Sequence, residues 1–312
     1  MAFVSSAVAV RVPATSANLG PGFDALGLAL TIYDELRARV AAGGVHVAVS
    51  GEGAGELPTD GRHLVVQVMH ATFEALGEAP PGLALECRNR IPQARGLGSS
   101  SAAIVAGILL ARGLVEGGAQ RMDDAAVLRL AAEIEGHPDN VAPCLLGGLT
   151  IAWSGGAVRM ETLPEIHPIA FVPDERGLTE AARAALPPTV PHVDAAFNAG
   201  RTALLVHALT REPGHLLAAT EDRLHQPYRA EAMPGTAALV GQLREQGIAA
   251  VVSGAGPSVL ALTTGGWTPP AVEGWRVWPL AVDAPGALFG DAATWGTLEH
   301  AERDPVAAGW TS

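Results

Sequence analysis

Pro92-Gln93-Ala94-Arg95-Gly96-Leu97-Gly98-Ser99-Ser100-Ser101-Ala102-Ala103 decides how the chain is read. It joins an alternating strand pattern at Leu83, Leu85 and Cys87 to an apolar helical pattern running from about Ser100 to Val115. Glycines at 96 and 98 let backbone approach a ligand closely, and the serines are expected to cap the helix. The free N–H groups of the first helical turn, together with the helix dipole, favour an anion, so the segment reads as a phosphate cradle. A Gly turn before a Ser-capped helix is the plainer alternative. A dinucleotide fingerprint fits less well, because Ser101 occupies its third glycine position and Pro92 to Arg95 does not end a strand.

Upstream, Val8, Val10 and Val12 alternate before Pro13, and Leu26, Leu28, Leu30 and Ile32 alternate after a polar loop from Ala14 to Asp24. Val45, Val47 and Val49 predict another strand, and Leu64 to Leu76 a helix that Gly77 ends. Downstream come a helix from Asp123 or Asp124 to Glu135, closed by Gly136, and a strand over Leu149 to Trp153. Ser154 to Pro168 is rich in Gly and Pro with little periodicity, which places a domain boundary near residue 160. Beyond it the pattern predicts strands at Ile169 to Val172, Ile248 to Val252, Ser258 to Thr263 and Arg276 to Val282. Helices are predicted near 179 to 186, 195 to 210, 214 to 225 and 235 to 246. Both halves mix helices and strands without a repeating βα ladder, so the class is α+β with two domains, 1–160 and 161–283. Residues 284–312 fit no packed element and read as a tail.

A chain of 312 residues is long enough for two cores, and 48% hydrophobic with 17% charged residues argues against disorder. No apolar run approaches the roughly 18 residues that span a bilayer. The 32 acidic against 20 basic residues give a net charge of -12, which argues against nucleic acid and anionic membrane as partners. Every basic residue is arginine; there is no lysine. That excludes a Walker A loop, the strand lysine of protein kinases and Schiff-base chemistry. Cys87 and Cys144 form no CxxC, so neither a disulfide framework nor a zinc ribbon is expected, and a reducing cytoplasm fits. The opening MAFVSSAVAVRV lacks the pattern of an export signal.

Two more loops accompany the first: Pro13-Ala14-Thr15-Ser16-Ala17-Asn18-Leu19-Gly20-Pro21-Gly22-Phe23-Asp24, and Ser253-Gly254-Ala255-Gly256-Pro257-Ser258. Three such loops in this order resemble the galactokinase, homoserine kinase, mevalonate kinase and phosphomevalonate kinase (GHMP) superfamily. The first loop and His137-Pro138-Asp139-Asn140-Val141-Ala142-Pro143 are similar to the homoserine kinases within it. The resemblance covers roughly residues 8 to 282.

It implies an N-terminal domain of the ribosomal protein S5 domain 2-like type, a ferredoxin-like C-terminal domain, and ligands between them. ATP phosphates would lie on Pro92, Arg95, Gly96, Leu97, Gly98, Ser99, Ser100 and Ser101, with Mg2+ on Ser100 and Glu133. Glu135 is expected to face elsewhere. His63 stands where family members commonly place an asparagine at the adenine pocket. L-homoserine is the implied second substrate. Its ammonium would meet Asp24 with Asn18 beside it, and its carboxylate would meet Arg183 and Arg229 near Thr179, with Gly254 and Gly256 from the third loop. Asn140 stands where relatives carry an aspartate proposed as base. An amide cannot accept a proton at neutral pH, so it would position the hydroxyl, with His137 orienting the loop or substrate. The implied activity is ATP-dependent phosphorylation of homoserine on the route to threonine, in the cytoplasm, with a homodimer as a family expectation. Another small-molecule kinase of the superfamily, or a nucleotide-binding protein without transferase activity, are the rival readings.

Overall fold

A computed structural model of the chain describes residues 3–177 and 179–291. The first half carries β1 (Val8–Ala17), β2 (Leu26–Val40), β3 (Gly44–Gly51), β4 (Gly82–Asn89), β5 (Leu149–Trp153) and β6 (Gly156–Met160). The second carries β7 (His167–Pro173), β8 (Ala249–Val252), β9 (Val259–Thr263) and β10 (Trp275–Pro279), and β11 (Leu288–Asp291) follows. Helices of the first half are α1 (Leu64–Ala75), α2 (Ser99–Leu114), α3 (Gly118–Arg121), α4 (Asp124–Glu135) and α5 (Val141–Leu146). Those of the second are α6 (Thr179–Ala184), α7 (His192–Thr210), α8 (Leu216–Ala219), α9 (Gln226–Arg229) and α10 (Pro234–Glu245). Among the described residues no helix is long and apolar enough to cross a membrane.

The first sheet runs β11-β1-β2-β4-β3, with β5 on β2 and β6 on β5. The length of β2 permits this branching: Glu35 to Val40 pair with β4, and Leu26 to Leu28 pair with β5. β3 and β4 are parallel, and α1 supplies the crossover that parallel neighbours require. α2 is buried along most of its length, and Gly107 allows its close approach to Val65 and Val68 of α1. The second sheet runs β10-β7-β9-β8, which in its own chain order is 4-1-3-2, the ferredoxin-like arrangement. The connection from β9 to β10 contains no helix, and Trp267 and Val272 cover that face instead.

Alternation along β7 and β9 divides the second domain's apolar residues. Ala170, Val172, Leu260 and Leu262 join the large core of the first domain, whereas Ile169, Phe171, Val259 and Ala261 pack on Leu239 and Leu243 of α10. The two halves thus share one continuous core, which fixes the cleft between them.

Three sequence expectations change. The stretch after Trp153 holds β6, whose Gly156 to Met160 pair with β5 despite their weak periodicity. The helix expected over 214 to 225 is a 3-10 turn and the single turn α8. Beyond them Asp222 turns the chain by accepting from the N–H groups of Leu224 (2.8 Å) and Gln226 (2.7 Å). The tail begins with β11, paired antiparallel with Val8 to Arg11; its remainder, 292–312, lies outside the described residues. Four residues completing a distant sheet edge leave too short a pattern to be read locally.

Asp34 on β2 anchors the approach to the loop that carries Gly96 and Gly98. Its Oδ1 accepts from the N–H groups of Arg90 (2.7 Å) and Ile91 (2.9 Å), and burial pushes its carboxyl up to about 7 against those two bonds. A value raised in the folded state favours the protonated form there, so this group's contribution to stability falls as pH rises from the unfolded value near 3.8 through 7. Asp34→Asn keeps the acceptor oxygen and cannot ionise. It is expected to raise the melting temperature at about pH 8 and to change it little at or below about pH 4, as paired thermal melts would measure.

Candidate functional site

The three loops are tied to one another at the seam between the domains. Ser253 Oγ lies 2.7 Å from the Gly96 carbonyl and 2.8 Å from Ser16 Oγ. The carbonyl can only accept, so Ser253 donates to it and accepts from Ser16. Asn18 Nδ2 donates to the Gly254 carbonyl (2.9 Å), and its Oδ1 accepts from the Asp24 N–H (2.9 Å). Asn18 therefore clamps the first loop to the third. It adopts φ 69° and Asp24 φ 53°, left-handed conformations that these bonds hold in place. Gly96 sits at φ 70°, where a Cβ would overlap the Ser253 carbonyl, so only glycine lets the second and third loops meet.

The N-cap of α2 is Gly98, at φ 72°, and no side chain caps it. The expected serine caps are not formed. Ser100 Oγ and Ser101 Oγ donate instead to Glu135 Oε2 (2.9 Å) and Oε1 (2.8 Å) at the end of α4. Glu135 therefore faces the loop, against the expectation that it faces elsewhere. Glu133 is exposed and Glu135 lies against the loop, because two residues on a helix are separated by about 200° of rotation. Arg95 also differs from expectation. Its Nε, Nη1 and Nη2 donate to the carbonyls of Pro173 (3.2 Å), Gln93 (2.8 Å) and Asp174 (2.7 Å), so the guanidinium straps the loop to the end of β7.

Two cavities flank this loop and share Ala94, Ser99 and Ser100 in their walls. One, of about 230 Å³, is lined by Asp34, Leu57, His63, Asn89 and Gln93. The other, of about 120 Å³, is lined by Pro92, Arg95, Gly96, Leu97 and Gly98 with Asn18, Asp24, His137, Asn140, Arg183, Arg229 and Gly254. Gly256 does not line it and packs against Met233. Thr179 opens α6, and its side chain lies outside the described residues. A larger cavity of about 410 Å³, among Phe197, Met233, Val240 and Arg244, is separate from all of these groups.

His63 is the N-cap of α1: its Nδ1 accepts from the Val65 N–H (3.3 Å), which leaves the ring proton on Nε2. Among the described residues Nε2 is buried without a partner, and burial holds the imidazole below its usual pKa, so it is a neutral donor. In the smaller cavity Arg183 Nη2 donates to Asp24 Oδ1 (2.9 Å) and Nη1 to Oδ2 (3.3 Å), a paired contact that raises the arginine's pKa. Arg229 is buried beside them. His137 Nδ1 lies 2.7 Å from Asp139 Oδ1, and this bond raises the imidazole's pKa. Thr15 Oγ1 donates to Asn140 Oδ1 (2.8 Å), which turns the amide nitrogen away from Thr15. Thr15 carries no mark of this role in the sequence beyond its place in the first loop beside Ser16. Opposite charges thus line one cavity, an unpaired neutral donor lines the other, and helix N–H groups stand between them.

Comparison with known proteins bears on what such a site serves. The family description "GHMP kinases N terminal domain" matches residues 63–148, and "GHMP kinases C terminal" matches residues 204–272. The two halves are those of a GHMP kinase, a phosphotransferase acting on an alcohol acceptor. Homoserine kinase of Streptomyces avermitilis is 58% identical over 92% of this chain and 96% of its own. That of Streptomyces coelicolor is 62% identical over 84% of this chain and 86% of its own. The crystal structure of homoserine kinase from Cytophaga hutchinsonii matches with a TM-score of 0.79 at 26% identity, covering 91% of this chain and 98% of that one. The chain belongs to the homoserine kinase family.

The Thr15 contact yields a test. Thr15→Val removes the hydroxyl at nearly constant volume and is expected to lower kcat by about 10- to 100-fold, the effect of losing one positioning bond, while both KM values stay close to wild type. Thr15→Ser, which retains the donor, is expected to recover most of the rate in steady-state kinetics.

Proposed function

We infer that the chain transfers the γ-phosphoryl group of ATP to the side-chain hydroxyl of L-homoserine, giving O-phospho-L-homoserine. The observation that carries this reading is the Asp24–Arg183 pair beside Arg229, in a cavity sharing Ser99 and Ser100 with the one that holds His63. Homoserine offers an ammonium to Asp24, a carboxylate to Arg183 and Arg229, and a hydroxyl directed to Asn140. A sugar or an isoprenoid acid does not match that set of charges. Phosphate oxygens would accept from the N–H groups at the start of α2, and His63 Nε2 would donate to a ring nitrogen of adenine.

Asn140 Oδ1 is engaged by Thr15, so the amide nitrogen is the group available to hold the hydroxyl oxygen. An amide cannot take the proton at neutral pH, so the residues here orient the nucleophile for in-line attack and the proton leaves late, to the phosphoryl oxygens. Ser100 and Glu135 fit magnesium: a hydroxyl and a carboxylate are hard oxygen donors, and this ion usually completes its shell with water and substrate phosphate. Among the described residues no group of three or more His, Cys, Asp or Glu could hold a metal alone, in keeping with an ion held largely by the nucleotide. When bound, the ion offsets phosphate charge in a site that has no lysine to do so.

A second reading makes His137 the proton acceptor, favoured by the Asp139 carboxylate that orients its ring. A histidine base must be unprotonated, so kcat would fall as pH drops through its raised pKa, and His137→Gln would abolish that acidic limb. The base-free mechanism instead expects parallel kcat profiles for the two enzymes.

Alanine at Arg183 or Arg229 is expected to weaken homoserine by roughly 2 to 5 kcal/mol, far more than ATP, as KM values for each substrate would measure. Equal loss for both ligands would move the arginines to the phosphates. Glu135→Gln should raise the magnesium needed for half-maximal activity, whereas Glu133→Gln should leave the magnesium titration where it was.

A further inference from the structure

His225 stands one turn before Arg229 and is wholly buried. Its Nε2 lies 2.8 Å from the Gly20 carbonyl of the first loop and 3.5 Å from Asp222 Oδ2. Its Nδ1 lies 3.0 Å from Arg229 Nη1. These partners fix the tautomer, because a carbonyl only accepts and a guanidinium only donates. The proton is on Nε2, and Nδ1 presents a lone pair to the arginine. Arg229 Nε donates to the Ala182 carbonyl (3.0 Å), and Nη1 also approaches the Gly254 carbonyl (3.4 Å). Among the described residues Nη2 has no hydrogen-bond partner, and Arg229 lines the cavity that holds Asp24, Arg183 and Asn140. The Phe23 ring lies against both side chains, 5.2 Å from the imidazole centroid and 5.5 Å from the guanidinium carbon.

We propose that His225 is a positioning residue for the amino-acid substrate: as a neutral imidazole it holds Arg229 by Nη1 and leaves Nη2 directed at the substrate carboxylate. This rests on the assignment of Arg229 to that carboxylate. The imidazole does what a carboxylate at the same place could not, since an anion beside Arg229 would compete with the substrate's own. Asp222, the carboxylate nearest His225, faces the other ring nitrogen and is itself held by the N–H groups of Leu224 and Gln226 and by Asn198 Nδ2 (2.8 Å). The charged groups around the ring are Asp222, Arg229, Asp24 and, through the cavity, Arg183. Burial lowers the pKa of His225, partly opposed by Asp222, so the neutral form prevails at neutral pH. Protonation would remove the acceptor and set a second cation against Arg229.

Two substitutions separate the ring nitrogens. The Asn amide oxygen reaches about where Nδ1 lies, whereas the Gln amide reaches about where Nε2 lies. His225→Gln is expected to raise the homoserine KM about 10- to 100-fold, the effect of one lost bond to a charged group, with kcat and ATP KM within about twofold. His225→Asn is expected to recover most of the affinity. In an Arg229→Ala background, His225→Gln should add nothing to the homoserine KM. The homoserine KM of the unmodified enzyme should also rise on acidification, and this rise should be absent in His225→Asn, which gives a reading even where the Gln variant fails to fold. An unchanged homoserine KM in His225→Gln beside a raised one in Arg229→Ala overturns the proposal and leaves the substrate assignment standing. Equal losses for both substrates and kcat reduce His225 to a structural role and overturn it as well. An unchanged homoserine KM in Arg229→Ala itself removes the substrate assignment and the proposal with it.

Discussion

The bond from Ser253 Oγ to the Gly96 carbonyl, completed by the bond it accepts from Ser16, is the contact on which the site depends. It joins residues from three distant parts of the chain, and it forms only because Gly96 carries no Cβ. Around it the Asn18 clamp on Gly254 and the Arg95 strap on Pro173 and Asp174 fix the loops in the same arrangement. The shared core beneath removes the freedom of a hinge at this seam, since Val172 and Leu260 pack into the same cluster as Leu97 and Ile104. A rigid floor of this kind is what lets short polar side chains hold positions to a fraction of an ångström.

The electrostatics follow from a chain whose cations are all arginine. In the proposed reading, backbone N–H groups at the start of α2 would take the place of a phosphate-binding lysine, and they need neither desolvation of an ammonium nor ordering of a long side chain. Arginine is kept for planar partners: Arg183 makes a paired contact with Asp24, and Arg95 gathers three carbonyls. The aspartates contribute as orienters as much as ligands. Asp139 holds His137 and Asp222 holds the turn that carries His225, so the two imidazoles nearest the Asp24–Arg183 pair each have a carboxylate beside them.

Much of this site was legible in the sequence. The glycine loop before α2 could be recognised because its requirements are local: two glycines with left-handed backbone and a helix that begins at once. The Glu133 and Glu135 choice was not legible in the same way. Both carboxylates end one amphipathic helix, and the rotation that brings Glu135 to Ser100 and Ser101 is set by how α4 packs on α2, 35 residues back in the chain. The serine caps are absent for a related reason: the helix begins at Ser99 with Gly98 as its cap residue, so the serines lie within the first turn, where Ser100 and Ser101 reach Glu135 instead.

By itself the sequence determined the α+β class, the longer strands and helices such as β1, β2, α1, α2 and α4, the three glycine-bearing loops and the absence of lysine chemistry, because periodicity, turn residues and composition act over a few neighbouring positions. Tertiary structure alone decided which side chains meet: Thr15 with Asn140 across 125 residues, Arg183 with Asp24 across 159, and β11 with the edge of β1. Such pairings carry no local signature. They depend on closing long loops over a common core, and the geometry of that closure exists only in the folded chain.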